Sequence, residues 1–358
     1  MIKISTLIGT RPQLIKAAAV SRTIKSEFNN KFEENIIHTG QHYDQKMSEL
    51  FFNELNIPYP KFNMNISSLK HGEMTGRMII EFEKYLLENK TDYVLVYGDT
   101  NSTLAGMLAA IKLDIPVVHV EAGLRSFNMK MPEEMNRILV DRLSKFLFCP
   151  TLQAVNNLSN EGINTGVHQV GDVMFDISLY YKDKAKNKSS ILLDYNLKPQ
   201  DFYLVTCHRA ENTNNNNRLH QIFSAINELA SLNKVILPLH PRTKKFLEKN
   251  KMMDFLKNVI VTEPLSFMDM ILLEQSARAI LTDSGGIQKE AFFYGVPCIT
   301  MRDETEWVET VKLGWNKVVG ADKYKILNAV NSLSYGKLGE SPYGNGQASK
   351  EILNILSK

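Results

Sequence analysis

The sequence contains few cysteines and no long apolar run, and both absences limit what it can encode. Only three of its 358 residues are cysteines, and none belongs to a C-x-x-C pair. Cys149, Cys207 and Cys298 each lie within or beside an apolar segment, which predicts small buried thiols in a reducing compartment. No segment reaches the ~18 uninterrupted apolar residues of a membrane span. The opening MIKISTLIG predicts a core strand rather than a signal peptide, so we expect a cytoplasmic protein.

An excess of charge of either sign is also missing. The 42 Lys and Arg against 39 Asp and Glu give a formal net charge of +3. The basic residues are scattered, whereas a nucleic-acid site needs them clustered, so we expect no nucleic-acid partner. The sequence has no H-E-x-x-H spacing, and its first Gly-rich segment fits neither G-x-G-x-x-G nor a Walker loop. We therefore expect no metal and no cofactor.

What the sequence does have is a regular alternation of apolar, β-rich runs with amphipathic helical segments. This alternation is typical of parallel sheets with helical crossovers. Because the chain exceeds the roughly 100–200 residues of one ordinary domain, we predict an α/β protein of two Rossmann-like, doubly wound domains that face a cleft. The predicted strands are residues 2–9, 35–40, 93–98, 116–121, 146–151, 202–207, 234–240, 258–263, 279–283 and 297–301.

The domain boundary is predicted near residue 175. A Lys-, Ser- and Asn-rich piece without an apolar period, 179–202, follows it, and the run NTNNNN (212–217) predicts a polar loop. We expect a first domain over 1–175, a second over 176–340, and a final helix over 341–358 that crosses back to the first domain.

The segment LTDSGGIQKEAFFYGVP (281–297) combines a strand, a small turn and a helix. In parallel sheets, ligands bind beyond the carboxyl ends of strands, where helix N-termini favour anions. The Ser284-Gly285-Gly286 turn predicts such an anion site, although a plain N-cap explains it equally well. Glu290, about one turn further along, suits the hydroxyls of a ribose or is an ordinary surface carboxylate.

The first half of the chain places charged residues at several predicted strand ends. Arg11 and Lys16 follow the first strand, where cations can hold phosphate, although Lys16 also fits a solvated helix. Asp99 and Glu121 end two further strands, and Glu133 with Glu134 opens a helix after Pro132. Caps and helix starts explain these acids individually. If they converge, their repulsion raises their pKa values and makes general acids and bases of them.

In the second half, two basic pairs follow predicted strands. CHRAEN contains His208 and Arg209, and HPR contains His240 and Arg242. We expect the first pair to face the acids across the cleft and to neutralise a diphosphate. A structural histidine is the alternative for each.

The motifs GTRPQLIK, TGQH, YGDTNSTLA, HVEAGLRS, MPEEMNR, CHRAEN, TDSGGIQKEA and RDETEW, in this order, resemble those of the non-hydrolysing UDP-N-acetylglucosamine 2-epimerases. The resemblance covers essentially the whole chain. It implies the GT-B architecture, a homodimer and a cofactor-free reaction. In that reaction UDP is eliminated to give a 2-acetamidoglucal and then added back after C2 is protonated on the other face.

The resemblance also implies roles for individual residues. The first domain would carry the sugar-directed acids, and the second would bind UDP. The implied catalytic residues are Asp99, Glu121, Glu133, His208 and Lys16. The implied UDP contacts are Arg11, His208, Ser284, Gly285, Gly286 and Glu290. The implied second-site or substrate contacts are Gln41, His42, Glu134, Arg209, His240 and Arg242.

Several positions depart from the commonest family pattern. Gln13 replaces a Glu, residues 303–307 read DETEW, and His240-Pro241-Arg242 replaces an Asn-Pro form. These variants resemble the subgroup that acts on UDP-2,3-diacetamido-2,3-dideoxyglucuronate. The two epimerase substrates therefore both stay open, and a non-catalytic UDP-sugar-binding module is the alternative from another class.

Overall fold

A computed structural model describes residues 1–41, 52, 54–55, 57–337, 339 and 341–358. The chain forms two compact units. The first unit comprises Met1–Ile177 with Glu340–Lys358, and the second comprises Ser178–Gly339. His42, one of the expected contact residues, lies outside the described residues.

The first unit is built on a parallel sheet of seven strands in the order β3-β2-β1-β4-β5-β6-β7. Strand β1 lies inside the sheet between β2 and β4, and residues 4–8 of β1 are buried because helices cover both faces. The strand order reverses between β1 and β4, which is where parallel sheets bind ligands. The strands are β1 Ile2–Ile8, β2 Phe32–His38, β3 Phe62–Asn63, β4 Tyr93–Tyr97, β5 Val117–Val120, β6 Phe146–Cys149 and β7 Val167–Gln169.

Helices connect these strands and supply the apolar layers of the unit. Met78 and Phe82 of α2, for example, are fully buried. The helices are α1 Arg11–Glu27, α2 His71–Glu88, α3 Asn101–Lys112, α4 Pro132–Leu143, α5 Leu152–Asn160 and α6 Val173–Lys188.

The second unit has a parallel sheet of six strands in the order β10-β9-β8-β11-β12-β13. Its strands are β8 Phe202–Thr206, β9 Lys234–Pro238, β10 Ile260–Thr262, β11 Ala279–Thr282, β12 Cys298–Thr300 and β13 Asn316–Val318. Its helices are α7 Ile191–Asp194, α8 Ala210–Thr213, α9 Asn216–Leu232, α10 Pro241–Lys249, α11 Phe267–Ser276, α12 Gly285–Tyr294, α13 Val308–Lys312 and α14 Lys323–Asn331, with a 3₁₀ turn at Met253–Leu256. The predicted fold class, with two doubly wound parallel sheets, is confirmed.

The last helix, α15 (Ala348–Leu356), packs on α1 of the first unit. Its first two backbone N–H groups, those of Ala348 and Ser349, donate to the carboxylate of Asp176 at 3.1 and 2.8 Å. Lys350 forms an ion pair with Glu27 at 2.7 Å. The end of the chain is therefore fixed to the first unit by a helix cap as well as by apolar packing.

Two segments contain helix that the sequence did not predict. Residues 179–188, the first part of the Lys-rich piece, continue α6, and Ile177, Tyr181 and Ala185 are buried on it at four-residue spacing. The predicted loop NTNNNN is partly helical, because only residues 214 and 215 of it lie between α8 and α9. The Asn215 side chain accepts from the backbone N–H groups of Asn217 and Arg218 at 3.1 and 3.2 Å and so caps α9.

Candidate active site

The turn between β1 and α1 is held by Gln13, a buried side chain. Its Oε1 accepts from the Gly9 N–H at 2.9 Å, and its Nε2 donates to the Tyr97 carbonyl and to Thr103 Oγ1, each at 2.9 Å. A Cβ at Gly9 would lie 2.1 Å from Thr39 Oγ1, so only glycine fits there. Gln13 thereby joins the ends of β1 and β4, and it fixes the start of the helix that carries Arg11 and Lys16.

Lys16 forms an ion pair with Glu121, and both side chains are mostly buried, at 13% and 7% exposure. Glu121 follows β5 directly and has a left-handed backbone with φ 72°. A non-glycine residue keeps such a conformation only where its surroundings impose it, and this is common at active sites. A Cβ built at Gly98 would lie 3.3 Å from Glu121 Oε2 and 3.4 Å from Lys16 Nζ. The pair is therefore adjacent to the backbone just before Asp99.

Asp99 lies at the end of β4 and is paired with Arg137 of α4, with 2.5 Å between Asp99 Oδ2 and Arg137 Nη2. Asn136 Nδ2 also donates to the Asp99 carbonyl at 2.8 Å. Asp99 is not a helix cap. Thr100 caps α3, and it exchanges side-chain and backbone bonds with Thr103. The side chain of Asp99 therefore forms an ion pair and does not cap α3.

Glu134 has an internal role that differs from the expected ligand contact. The Ser126 N–H and Oγ and the Phe127 N–H each donate to its carboxylate at 2.9 Å, and Arg137 Nη1 lies at 2.6 Å. Burial alone would raise the pKa of Glu134, but these hydrogen bonds outweigh it and lower the pKa. Four donors occupy the carboxylate, so Glu134 holds the 126–127 turn and Arg137 in place.

The expected mutual repulsion of the acids is not what the structure of this unit displays. Asp99 and Glu121 each have a cationic partner. Glu133 is half-buried in the first turn of α4 and forms no ion pair within the described ranges. Gln41 is turned inward, and its Oε1 accepts from Ser102 Oγ at 2.8 Å. The strand ends of this unit therefore present two neutralised carboxylates and one unpaired carboxylate.

In the second unit, Asp283 organises the segment after β8. Its carboxylate is fully buried and accepts from the His208 N–H at 3.0 Å, the Arg209 N–H at 3.0 Å and Asn212 Nδ2 at 3.1 Å. Sequence reasoning recognised Asp283 only as a strand end. One signal in the sequence could have identified Asp283. An acid ends one strand of a parallel sheet, and a His-Arg pair follows the strand next to it.

His208 lies beside Asp283, with 3.6 Å between His208 Nδ1 and Asp283 Oδ1. Burial is the main reason that the pKa of His208 is lowered; Asp283 opposes the shift, and Arg209 and Arg242 add to it. The lowered pKa favours the neutral form of the ring as long as no anion is bound. Its ring stacks on that of His240, with centroids 5.5 Å apart.

His240 and Arg242 are both anchored by local bonds. His240 Nδ1 accepts from the Arg242 N–H at 3.1 Å and caps α10. The Arg242 guanidinium donates to Thr213 Oγ1 at 3.1 Å and to Asn214 Oδ1 at 2.9 Å. Arg242 thus connects α10 with the segment after α8, and its position is fixed before any ligand binds.

The turn Ser284-Gly285-Gly286 begins α12, and the Ser284 side chain makes no cap bond in the described structure. The first N–H groups of the helix are thus left for a ligand or water. A Cβ at Gly285 would lie 3.7 Å from Arg209 Nη2, and one at Gly286 would lie 3.8 Å from Glu290 Oε2. A guanidinium and a carboxylate therefore flank this helix start, which favours an anion with a hydroxyl-bearing group next to it.

Residues 25–357 match the family model described as UDP-N-acetylglucosamine 2-epimerase. The chain belongs to this family. The resemblance inferred from the motifs is thus confirmed, together with the predicted enzyme class, an isomerase. Within the described ranges, no helix is long and apolar enough to cross a membrane.

Individual relatives cover the whole chain. A UDP-N-acetylglucosamine 2-epimerase homolog from Methanococcus maripaludis is 49% identical over 99% of both chains. A UDP-2,3-diacetamido-2,3-dideoxy-D-glucuronate 2-epimerase from Pseudomonas aeruginosa is also 49% identical, over 100% of both chains. The crystal structure of Methanocaldococcus jannaschii UDP-GlcNAc 2-epimerase in complex with UDP-GlcNAc and UDP is 44% identical and matches with a TM-score of 0.92 over 99% of both chains.

Proposed function

We propose that this protein is a non-hydrolysing UDP-N-acetylglucosamine 2-epimerase that interconverts UDP-GlcNAc and UDP-ManNAc for surface polysaccharide precursors. The observation that carries the proposal is the buried Lys16–Glu121 ion pair beside the backbone that leads to Asp99. The hydrogen at C2 of a pyranoside is not acidic, so inversion requires elimination of UDP and its re-addition. That route needs carboxylates near the sugar and cations near the departing phosphate.

The first unit is proposed to supply the acid–base groups. Asp99, Glu121 and Glu133 exchange the C2 proton and assist loss of the anomeric oxygen. Lys16 neutralises charge that develops on the leaving group. Asp99 and Glu121 each lie beside a cation, Arg137 and Lys16, which holds the carboxylate in place. Glu133 forms no such ion pair among the described residues.

The second unit is proposed to bind UDP. The start of α12 and the guanidinium of Arg209 support a site for the diphosphate, and Glu290 suits the ribose hydroxyls. A bound diphosphate would raise the proton affinity of His208, because an anion beside an imidazole favours its charged form. His208 would then act as an acid toward the leaving oxygen. Arg11, at the first position of α1, is proposed as a further phosphate contact.

A second substrate, UDP-2,3-diacetamido-2,3-dideoxyglucuronate, is favoured by one specific observation. The Pseudomonas aeruginosa relative named for that substrate is 49% identical over the entire chain. His240 and Arg242, both basic and both anchored, suit the additional carboxylate of such a sugar. Gln41 and Arg209 are proposed as further sugar or second-site contacts.

Proton NMR in D₂O tests the proposed function. The purified protein is incubated with UDP-GlcNAc and, separately, with the diacetamido-glucuronate. Deuterium entering C2 together with a manno-configured product identifies the substrate. Free UDP accumulating with free sugar would instead indicate a hydrolysing enzyme. Tight UDP binding without exchange on either sugar would refute epimerase activity and indicate a binding module.

A homodimer is proposed on the basis of an apolar stripe on α4. Met135, Leu139 and Leu143 lie at four-residue spacing and are 43%, 46% and 46% exposed. A stripe with this spacing forms one helix face and suits the same face of a second copy. Leu139→Lys should shift the protein from dimer to monomer in light scattering. Leu193→Lys, at an 84% exposed position of α7, is the control. A wild-type monomer would refute the proposal.

We also propose that the protein is cytoplasmic. Cys149, Cys207 and Cys298 are all buried and free, and no disulfide joins them. Burial raises the pKa of the Cys298 thiol to about 12, which keeps it protonated and unreactive. Such thiols are suited to a reducing compartment, where UDP-sugars are used.

A further inference from the structure

His119, on the interior strand β5 between β4 and β6, is fully buried and contacts two hydrogen-bond acceptors. Its Nε2 lies 2.7 Å from the Gly98 carbonyl oxygen, and its Nδ1 lies 2.7 Å from Asp141 Oδ1. A carbonyl oxygen carries no proton, so Nε2 must donate. The protonation state of the ring then depends on whether Asp141 is ionised.

Asp141 is held as a carboxylate. Its other oxygen, Oδ2, accepts from Arg125 Nη1 at 2.7 Å and from the Gly123 N–H at 3.1 Å. An ion pair with a buried guanidinium, together with a backbone N–H on the same oxygen, favours the carboxylate form of Asp141 independently of His119. Because a carboxylate only accepts, Nδ1 of His119 must donate as well. A ring with N–H on both nitrogens is an imidazolium.

The charges around this imidazolium balance. Arg125 also donates to both carboxylate oxygens of Glu161, at 2.7 and 2.8 Å. His119 and Arg125 thus face Asp141 and Glu161, two cations against two anions. Cys149 on the neighbouring strand β6 adds no charge, because burial and Asp141 raise the pKa of its thiol. A buried cation is tolerated when it is paired and fully hydrogen-bonded, as here.

We propose that His119 donates from both ring nitrogens, as an imidazolium, and is a positioning residue that fixes the backbone carrying Asp99 and Glu121. Gly98 has a left-handed φ of 63° and directly precedes Asp99, so its carbonyl sets the direction in which Asp99 leaves the strand. The Gly98 N–H is bonded to Val120, the residue between His119 and Glu121, at 3.0 Å. A charged donor holds the carbonyl more firmly than a neutral one. The inference that this hydrogen bond to the Gly98 carbonyl affects turnover rests on the proposed function.

Two variants separate the charge from the hydrogen bonds. In Asp141→Asn, the amide oxygen can still accept from Arg125 and Gly123, and the amide N–H can donate to Nδ1 of a neutral His119. Every bond of the network is kept, but the ring loses its charge. His119→Gln keeps one donor for Gly98 and loses the Asp141 bond. His168→Gln, on the half-buried strand β7 of the same unit, is the matched control.

The first measurement is NMR of ¹⁵N-histidine-labelled protein, with His119→Gln assigning the resonance. We expect both ring nitrogens of His119 to carry a proton in the wild type, and one to be bare in Asp141→Asn measured in the same buffer. A neutral ring in the wild type would overturn the inference. This readout needs no catalysis, so it decides the charge state even if the protein does not epimerise any sugar tested.

The second measurement is turnover of the substrate identified by C2 exchange. We expect kcat to fall about tenfold in Asp141→Asn and about 10²-fold in His119→Gln, because small misplacements of reacting groups cost this much. The UDP dissociation constant should change less than twofold, and His168→Gln should match the wild type. An unchanged kcat in folded Asp141→Asn would show that the charge has no positioning role. A parallel loss of UDP affinity would indicate a general structural defect instead.

Discussion

Substituting Lys16 by Met tests the ion pair on which the proposed function depends. The change keeps much of the volume of the side chain and removes only the cation. Because Glu121 is 7% exposed, its carboxylate would be left buried without a partner. Breaking a buried pair in this way costs about 3–5 kcal/mol of the free energy of unfolding. Lys16 is 13% exposed and water reaches it, so we expect about 3 kcal/mol, at the lower end of that range.

Calorimetry and denaturant unfolding measure this loss. For a unit of this size each kcal/mol corresponds to roughly 2–4 °C, so the transition of the first unit should fall by about 6–12 °C. The double variant Lys16→Met with Glu121→Gln carries no unpaired charge and should recover to within about 1 kcal/mol of the wild type. Lys350→Met breaks the exposed pair with Glu27 in the same unit and should leave the transition unchanged.

Turnover separates stability from chemistry. C2 exchange should fall by about 10²–10⁴ in the single and the double variant alike, because the double variant restores the fold but not the charges. The reasoning would be refuted if Lys16→Met were as stable as the wild type. It would also be refuted if the double variant were as unstable as the single one, or if either variant kept full turnover.

Three further substitutions test other parts of the structure. Burial of the Glu34 carboxyl raises its pKa, although Thr6 Oγ1 donates to it at 2.6 Å. A raised pKa in the folded state means that stability is lost as pH rises above about 4.5. Glu34→Gln should therefore exceed the wild type in free energy of unfolding at pH 8 and lose that advantage towards pH 4.5. Asp283→Ala removes the acceptor of three donors and should weaken UDP binding by about 2 kcal/mol, or about 30-fold, in calorimetric titration. Gly295→Ala has room for its Cβ but keeps φ at 68°, so denaturant unfolding should give a loss of about 1 kcal/mol and no loss of activity.

All ten predicted strands are present, because each combines β-branched residues with flanking turn signals. The sequence did not predict β3, β7 or β13, which have only two or three residues each. Runs this short contain less than two periods of alternation, and their apolar content is not above that of a loop. These three strands form because a neighbouring strand presents unpaired backbone groups at the edge of the sheet. That depends on tertiary structure and not on the local sequence. The predicted strands also extended one or two residues beyond their observed carboxyl ends, because the residues there continue the direction of the strand.

The helix α6 was missed for a different reason. Residues 173–178 of α6 are mostly buried, but beyond them only Tyr181 and Ala185 are buried, and the lysines there dominate the average composition. A helical segment that buries two residues in ten has little amphipathic signal, so the sequence showed no apolar period there.

The sequence predicted acids at strand ends but not the partners of those acids. Asp99 and Glu121 were proposed as site residues because they follow strands, and chain direction alone places such residues at one edge of a sheet. That Asp99 pairs with Arg137 depends on how α4 docks against the sheet. That Asp283 accepts from two backbone N–H groups depends on the path of the chain after β8. Neither of these two interactions leaves a local pattern in the sequence.

The partners change what the acids can do. An isolated cluster of acids at a strand edge would lower its own repulsion by taking up protons, and it would then contain weak bases. Here Lys16 and Arg137 neutralise Glu121 and Asp99 before substrate arrives, and His119 with Arg125 balances the anions beneath them. Asp99 and Glu121 therefore each face a cation, while Glu133 forms no ion pair within the described ranges. A two-sided proton exchange at one carbon requires such unequal groups, since one face must lose a proton while the other gains it.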